Sequence, residues 1–90
     1  IGTAVVSWQD SEGLHLRVYS TDGYNVLERC ADPGSDWTTG GFSAPGSDVS
    51  ATCWQDNAGV HIRVYCTFQD TTTEWCFDPG SGWVQGGYTV

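Results

Sequence analysis

Lysine and methionine are absent from this sequence, and positive charge is scarce. The 3 cations are all arginine and stand against 11 acidic residues, so the formal net charge is −8 at pH 7. Nucleic-acid binding and adhesion to anionic lipid surfaces both need clustered cations, and this charge balance argues against both functions. No apolar run reaches the roughly 18 residues of a membrane-spanning helix, and no apolar segment has the form of a signal peptide.

Glycine and aromatic residues are plentiful by contrast. The 90 residues include 12 Gly, 5 Trp and 4 Tyr, and charged residues account for only 16%. Aromatic residues favour strands and frequent glycine favours tight turns, whereas no stretch carries a helical period. The composition therefore predicts an all-β protein, with a surface of serine, threonine, glutamine and glycine that suits neutral hydroxylated ligands.

An internal repeat organises the chain. Displacing the sequence by 46 residues aligns it on itself without a gap, with 18 identities in 44 pairs. The clearest matches pair Trp8–Asp10 with Trp54–Asp56, His15–Tyr19 with His61–Tyr65, and Asp32–Ser35 with Asp78–Ser81. The repeat predicts one unit over residues 1–44, a junction at 45–48 and a second unit over residues 49–90.

Each repeat is predicted to form four short strands. In the first repeat they are Thr3–Gln9, Leu14–Thr21, Asn25–Ala31 and a fourth that starts at Trp37 and closes at Gly40–Gly41. Four antiparallel strands in about 46 residues match the size of one β-propeller blade. A sandwich of eight strands is the alternative, but a sandwich has no reason to repeat its turns, so the gapless repeat favours two blades.

Two blades cannot close a propeller ring. Each blade would leave a broad face in water, and repeat units generally need about three neighbours to be stable. The sequence therefore predicts an oligomer with cyclic symmetry, in which two, three or four chains would supply four, six or eight blades.

The turn signal at Asp22–Gly23 predicts which residues face each other in the first hairpin. With these two residues at the hairpin tip, Arg17 lies directly opposite Glu28 on one face of the sheet. The displacement of 46 residues then places Arg63 opposite Glu74 in the second repeat. A recurring Arg–Glu pair is therefore expected.

Strand alternation predicts a polar face and an aliphatic face for each second strand. The tip of the second hairpin is expected at Phe68–Gln69, by analogy with the first. The polar faces would carry His15, Arg17, Tyr19, His61, Arg63 and Tyr65, and the aliphatic faces Leu14, Leu16, Val18, Val60, Ile62 and Val64. In a propeller, the polar face of one blade meets the aliphatic face of the next.

The recurring Arg–Glu pair offers chemistry that suits a sugar. Glu has two acceptor oxygens and Arg a rigid fork of donors, which together match vicinal hydroxyls. An aromatic ring covers the apolar face of a sugar, and Trp37 and Trp83 are the candidate platforms, whereas Trp8 and Trp54 are assigned to core packing. The alternative is an ordinary cross-strand salt bridge. That alternative is weakened because the pair recurs and uses two of the 3 cations.

Three segments resemble those of one lectin family. They are His-Ile-Arg-Val-Tyr at 61–65, Thr-Glu-Trp-Cys at 73–76 and the closing segment at 82–88. They are similar to the fucose-binding six-bladed β-propeller lectins of the Aleuria aurantia type. The length and two-repeat layout most resemble the short bacterial members, such as the Ralstonia solanacearum lectin, which assemble as trimers of two-bladed chains. The resemblance implies a homotrimeric lectin that binds L-fucose and fucosylated glycans multivalently and acts outside the cell or at its surface.

The resemblance also implies two kinds of binding site. In the family, Arg and Glu of one blade bind the sugar with a backbone amide, and the next blade supplies aromatic and aliphatic residues. The site within the chain would contain Arg17, Glu28, Gly41, Val60, Ile62, Phe77 and Trp83. The site between chains would contain Arg63, Glu74, Gly87, Leu14, Leu16, Ala31 and Trp37. Because Ala31 lacks the aromatic ring of Phe77, the between-chain site is expected to be weaker.

The cysteines and histidines predict no metal site and no cofactor. Cys30 and Cys76 are repeat equivalents on different blades, and Cys66 would lie opposite Val49 rather than Cys53, so four reduced thiols are expected. No Cys/His spacing fits zinc, and no dense aspartate loop fits calcium. The two repeated histidines are expected to pack between blades.

An enzymatic function is not expected. A glycosidase needs two carboxylates across one scissile bond, one of them with a raised pKa. Each predicted site holds a single Glu beside an Arg, which should keep that Glu ionised. A purely structural or self-assembling propeller, with the Arg–Glu pairs as clasps between blades, is the other alternative to a lectin.

Overall fold

Eight β-strands make up the fold. The computed structural model describes residues 2–90, and in this range no helix is long and apolar enough to span a bilayer. The strands are β1 (Thr3–Asp10), β2 (Gly13–Thr21), β3 (Asn25–Ala31), β4 (Thr38–Pro45), β5 (Asp48–Asp56), β6 (Gly59–Phe68), β7 (Thr71–Asp78) and β8 (Gly82–Thr89).

The strands form two separate antiparallel sheets. Their orders are β1-β2-β3-β4 and β5-β6-β7-β8, so within each sheet every strand pairs with its neighbour in sequence. Only Gly46 and Ser47 lie between the two sheets. The predicted all-β fold with four strands in each repeat is confirmed.

The fourth strand is longer than the sequence predicts. Closure at Gly40–Gly41 is wrong, because β4 continues through this pair to Pro45. Opposite the glycines, the register between β3 and β4 shifts, since the two-residue step from Leu27 to Arg29 faces a four-residue step from Ser43 to Thr39. The extra residues form a bulge, and the strand beyond it buries Phe42 in the core.

The register of the first hairpin differs from the prediction by two residues. Arg17 lies opposite Cys30 and not opposite Glu28, whose partner is Tyr19. The tip is one residue later than expected, at Gly23–Tyr24, because the Asp22 carboxylate accepts the backbone N–H groups of Tyr24 and Asn25 and so closes the turn around itself.

The second hairpin departs in the same way. Arg63 lies opposite Cys76, and Glu74 lies opposite Tyr65, so the predicted Arg63–Glu74 pairing is also wrong. The tip is Gln69–Asp70, with φ of 51° and 67°, the conformation of a two-residue type I′ turn. A shift of two residues keeps every side chain on its predicted face.

The hydrophobic core lies between the two sheets. Tyr19, Val26 and Phe42 of the first sheet and Ile62, Val64 and Cys66 of the second belong to one buried cluster. Burial raises the pKa of the Cys66 thiol to about 11, so this thiol stays protonated at neutral pH. The predicted pairing of Cys66 with Val49 is confirmed, and all four cysteines are free. The polar face of β2 therefore looks towards the aliphatic face of β6.

Candidate functional site

A cavity of about 700 Å³ opens between the two sheets. All seven residues predicted for the within-chain site line it, together with seven residues that the prediction did not include. The predicted ones are Arg17, Glu28, Gly41, Val60, Ile62, Phe77 and Trp83. The others are Trp8, Asp10, Glu12, His15, Cys30, Asp32 and Gly40.

Arg17 is held rigidly by neighbours on its own sheet. One of its terminal nitrogens donates to Asp32 Oδ1 at 2.9 Å and to the carbonyl oxygen of Leu16 at 2.9 Å. Its guanidinium carbon lies 4.9 Å from the centre of the Trp8 ring, a cation–π distance. The guanidinium is therefore oriented before any ligand arrives, which lowers the entropic cost of binding.

His15 completes the support of Arg17. Its Nδ1 donates to the same Asp32 oxygen at 2.6 Å, and its ring stacks on Trp8 with 5.0 Å between centres. The hydrogen bond from His15, followed by that from Arg17, lowers the pKa of Asp32, and the bond to Asp32 raises the pKa of His15. Asp32 therefore stays ionised at neutral pH and accepts hydrogen bonds from both Arg17 and His15 through one oxygen.

Glu28 is a buried carboxylate on the same wall. It is 4% exposed, and it accepts the Tyr19 hydroxyl at 2.7 Å and the backbone N–H of Phe42 at 3.4 Å. A Cβ atom built on Gly40 would lie 2.6 Å from its carboxyl carbon, so only glycine leaves room for it. The glycine bulge thus makes space for the carboxylate at the wall of the cavity.

The opposite wall is apolar and aromatic. The Trp83 ring lies 5.4 Å from that of Phe77 and 4.5 Å from that of Phe42. Val60 and Ile62 add aliphatic surface beside them. The cavity thus places charged donors and acceptors across from an apolar wall, an arrangement that fits a ligand with hydroxyls on one side and C–H groups on the other.

The second sheet repeats the polar half of this arrangement. Arg63 donates to Asp78 at 3.0 Å and lies 4.8 Å from the Trp54 ring, and Tyr65 donates to Glu74 at 2.7 Å. The hydrogen bond from Tyr65 is the main cause of the lowered pKa of Glu74. Within residues 2–90 no other sheet covers this half-site, to which Gly87 also belongs by its equivalence to Gly41.

The apolar half of the between-chain site lies on the other sheet of the chain. Leu16 and Ala31 are cross-strand partners there, as Ile62 and Phe77 are in the second sheet. Leu14 is 48% exposed and Trp37 is 54% exposed. A single chain does not bring these four residues together with Arg63, Glu74 and Gly87.

Sequence reasoning missed the residues that position the arginines. Asp32 and Asp78 were not among the predicted site residues, although both recur in the repeat next to the sequence Pro-Gly-Ser. The core packing predicted for Trp54 is wrong, because Trp54 is 44% exposed and stacks on His61, and Trp8 lines the cavity as well as contacting the core. The signal that could have identified these residues was their identity in the two repeats.

Comparison with known proteins gives a family for this arrangement. The profile of a family described as fungal fucose-specific lectin matches residues 1–90. No curated protein matches the chain at a significant level.

Three solved structures share the fold. The SapL1 lectin in complex with alpha methyl fucoside has a TM-score of 0.82 and 34% sequence identity, covering 99% of this chain and 32% of that one. A variant of the Aleuria aurantia lectin in complex with alpha-methyl-L-fucoside has a TM-score of 0.73 and 27% sequence identity. The match covers 96% of this chain and 30% of that one. A crystal structure of the Aleuria aurantia lectin, described as a six-bladed β-propeller, has a TM-score of 0.71 and 28% sequence identity. The match covers 96% of this chain and 30% of that one. The chain thus spans about a third of the length of these lectins.

Proposed function

Because the chain belongs to the fungal fucose-specific lectin family, we propose that it binds L-fucose and fucosylated glycans in the cavity between its two sheets. The supporting observation is that one cavity joins Arg17 and Glu28 to Trp83 and Ile62. Arg and Glu match paired sugar hydroxyls, the tryptophan ring matches the C–H face, and the aliphatic residues match the methyl group that distinguishes fucose from sugars with a hydroxymethyl arm.

We propose binding without catalysis. The family is a lectin family, not a family of enzymes. Glu28 lines the same cavity as Arg17, and its two oxygens act as acceptors, one for the Tyr19 hydroxyl and one for the Phe42 N–H. The ligand is therefore held and released unchanged.

We further propose that the chain assembles as a homotrimer, like the short two-bladed bacterial lectins. The exposed Leu14 and Trp37 correspond in the repeat to Val60 and Trp83, which the first sheet covers. A second copy that seated its Arg63 and Glu74 against Leu14, Leu16, Ala31 and Trp37 would complete the second kind of site. The match covers 30% of the length of a lectin described as a six-bladed β-propeller, which agrees with two blades out of six.

A closed ring would also make weak sites useful. A shallow sugar site buries little area, and desolvation of hydroxyls offsets much of the gain. Several sites on one ring raise the effective affinity for a surface decorated with glycans. We propose accordingly that the protein acts outside the cell or at a cell surface, where such glycans are displayed.

The test compares two arginine substitutions of equal charge. Arg17→Ala removes the proposed sugar donor, whereas Arg29→Ala removes an exposed arginine that donates to Thr39 at 2.7 Å, away from the cavity. Calorimetric titration with L-fucose should show a loss of about 10–100-fold at one class of site for Arg17→Ala, since a charged hydrogen bond contributes about 1.5–3 kcal/mol. Arg29→Ala should bind as the unmodified protein does.

The structural alternative predicts a different outcome. If the Arg–Glu–Asp cluster only clasps blades together, Arg17→Ala should change the mass of the assembly in light scattering while the unmodified protein binds no fucose. Unchanged fucose binding by a normally assembled Arg17→Ala protein would contradict the proposed site.

A further inference from the structure

Three metal-ligating side chains meet at the turn between β1 and β2. One ligand atom from each of Asp10, Glu12 and His15 lies within 4.8 Å of the other two. His15 Nε2 is 3.0 Å from Asp10 Oδ2 and 4.0 Å from Glu12 Oε1. All three residues line the edge of the cavity between the sheets, which gives an ion and its water ligands access from solvent.

The imidazole in this cluster has an unused nitrogen. His15 is 8% exposed, and its Nε2 is a buried atom with no hydrogen-bond partner among residues 2–90, despite its closeness to Asp10. Its Nδ1 already donates to Asp32 at 2.6 Å. An imidazole whose Nδ1–H is bound to a carboxylate presents the Nε2 lone pair to a metal, and such carboxylate–histidine pairs are the usual outer support of histidine ligands.

The surroundings fix the positions of these ligands. The His15 ring stacks on Trp8 with an interplanar angle of 8°, so its plane is held. Asp10 Oδ1 accepts the backbone N–H of Glu12 at 2.9 Å, which leaves Oδ2 pointing to the imidazole. Separations of about 3.4 Å between ligand atoms are expected around a tetrahedral ion with bonds of about 2.1 Å. Small rotations of the Glu12 side chain, which is exposed, would reach that spacing.

We propose that Asp10, Glu12 and His15 form a binding site for a divalent transition-metal ion, with Zn²⁺ as the best fit. One imidazole nitrogen and two carboxylate oxygens suit a borderline ion, whereas Ca²⁺ and Mg²⁺ prefer oxygen ligands alone. All three residues line the cavity, from which water would supply the remaining ligands. The site lies outside the residues proposed to hold the sugar.

The second repeat carries a natural contrast. Asp56 and His61 occupy the equivalent positions, but Ala58 stands where the first repeat has Glu12. His61 Nε2 is hydrogen-bonded to Asp56 at 2.8 Å, and an ion bound there would replace this hydrogen bond. The second repeat therefore offers at most two ligands, and the proposed site occurs once in the chain.

Zinc titration of three proteins tests the proposal. Isothermal calorimetry with ZnCl₂, on the full chain in reduced form and without sugar, should show one zinc per chain for the unmodified protein. Glu12→Ala should weaken zinc binding by at least tenfold, since even outer partners of a ligand are worth about 10–100-fold. Ala58→Glu should restore the missing ligand in the second repeat and raise the stoichiometry to two per chain.

Two outcomes would overturn the proposal. One is the absence of zinc binding at micromolar concentrations by the unmodified protein, which would make the cluster a hydrogen-bonded clasp only. The other is equal zinc affinity in the unmodified protein and Glu12→Ala, which would assign the ion to other residues such as the thiols. Cobalt(II) provides an independent reading, because cobalt at this site should show no thiolate charge-transfer absorption.

Discussion

At the scale of single residues, the cavity depends on side chains that never need to touch the ligand. Asp32 binds His15 and Arg17 through one oxygen, and Trp8 lies under both. The same support recurs around Arg63. Because long arginine side chains lose much rotamer freedom on binding, this support reduces the entropic cost of binding the proposed sugar ligand.

Two adjacent glycines give a matched pair of predictions. Gly40→Ala would push a methyl group into the Glu28 carboxylate, whereas a Cβ atom on Gly41 has nothing within 4 Å. Gly40→Ala should therefore lower the free energy of unfolding by about 1–3 kcal/mol, and Gly41→Ala should change it by less than about 0.5 kcal/mol. Urea denaturation measures both. Equal effects of the two substitutions would contradict the close packing of Glu28.

His61 should make stability depend on pH. Its pKa is raised by Asp78 and then Asp56, so its contribution is complete below about pH 6.5 and is lost as the pH rises through the folded-state pKa. The two aspartates have lowered pKa values and stay ionised across this range. The melting temperature of the unmodified protein should exceed that of His61→Gln by more at about pH 5.5 than at about pH 8.5. A difference that grows with pH would contradict this.

At the scale of strands and hairpins, the alternation of polar and aliphatic residues predicted the faces correctly but not the partners. Arg17 was expected opposite Glu28, and Cys30 lies there instead. A hairpin tip displaced by one residue moves every cross-strand pair by two, which leaves each face unchanged. The Asp22 side chain sets the tip of the first hairpin, and the backbone angles at Gln69 set the tip of the second. Neither feature is visible in a hydrophobic pattern.

Substitutions at the tip of the second hairpin should stabilise the protein. Gln69 and Asp70 both have positive φ, which costs most residues about 1 kcal/mol or more, whereas Asn-Gly is the preferred pair for such a turn. The double substitution Gln69→Asn with Asp70→Gly should raise the melting temperature by several degrees at a fixed protein concentration.

The first hairpin supplies the control. Gly23 has a φ of 104°, so Gly23→Ala should lower the melting temperature. A lower melting temperature for the double substitution, or a higher one for Gly23→Ala, would show that backbone strain does not limit the stability of these turns.

At the scale of the whole molecule, the two sugar sites should differ. The proposed within-chain site has Phe77 beside Trp83, whereas its proposed counterpart has Ala31 at the position equivalent to Phe77. Titration of the assembled protein with L-fucose should resolve two affinity classes, and the substitution Ala31→Phe should bring them closer together. Two equal sites per chain in the unmodified protein would contradict the predicted asymmetry.

The sequence was most informative about the large-scale organisation and least about local geometry. The repeat predicted two four-stranded sheets, and the family resemblance placed Arg17, Glu28 and Trp83 in one site; all three line one cavity. Asp32 and Gly40 were missed because their roles depend on a shared oxygen and on a close approach of backbone to carboxylate. Such contacts arise only when three strands are brought together.

The central claim is that fucose binds between the sheets, and crystals soaked with α-methyl-L-fucoside test it most directly. The difference density should show the sugar hydroxyls at Arg17 and Glu28, a C–H face on Trp83 and the methyl group beside Ile62. Density for the sugar at any other place, with this cavity free of it, would contradict the account.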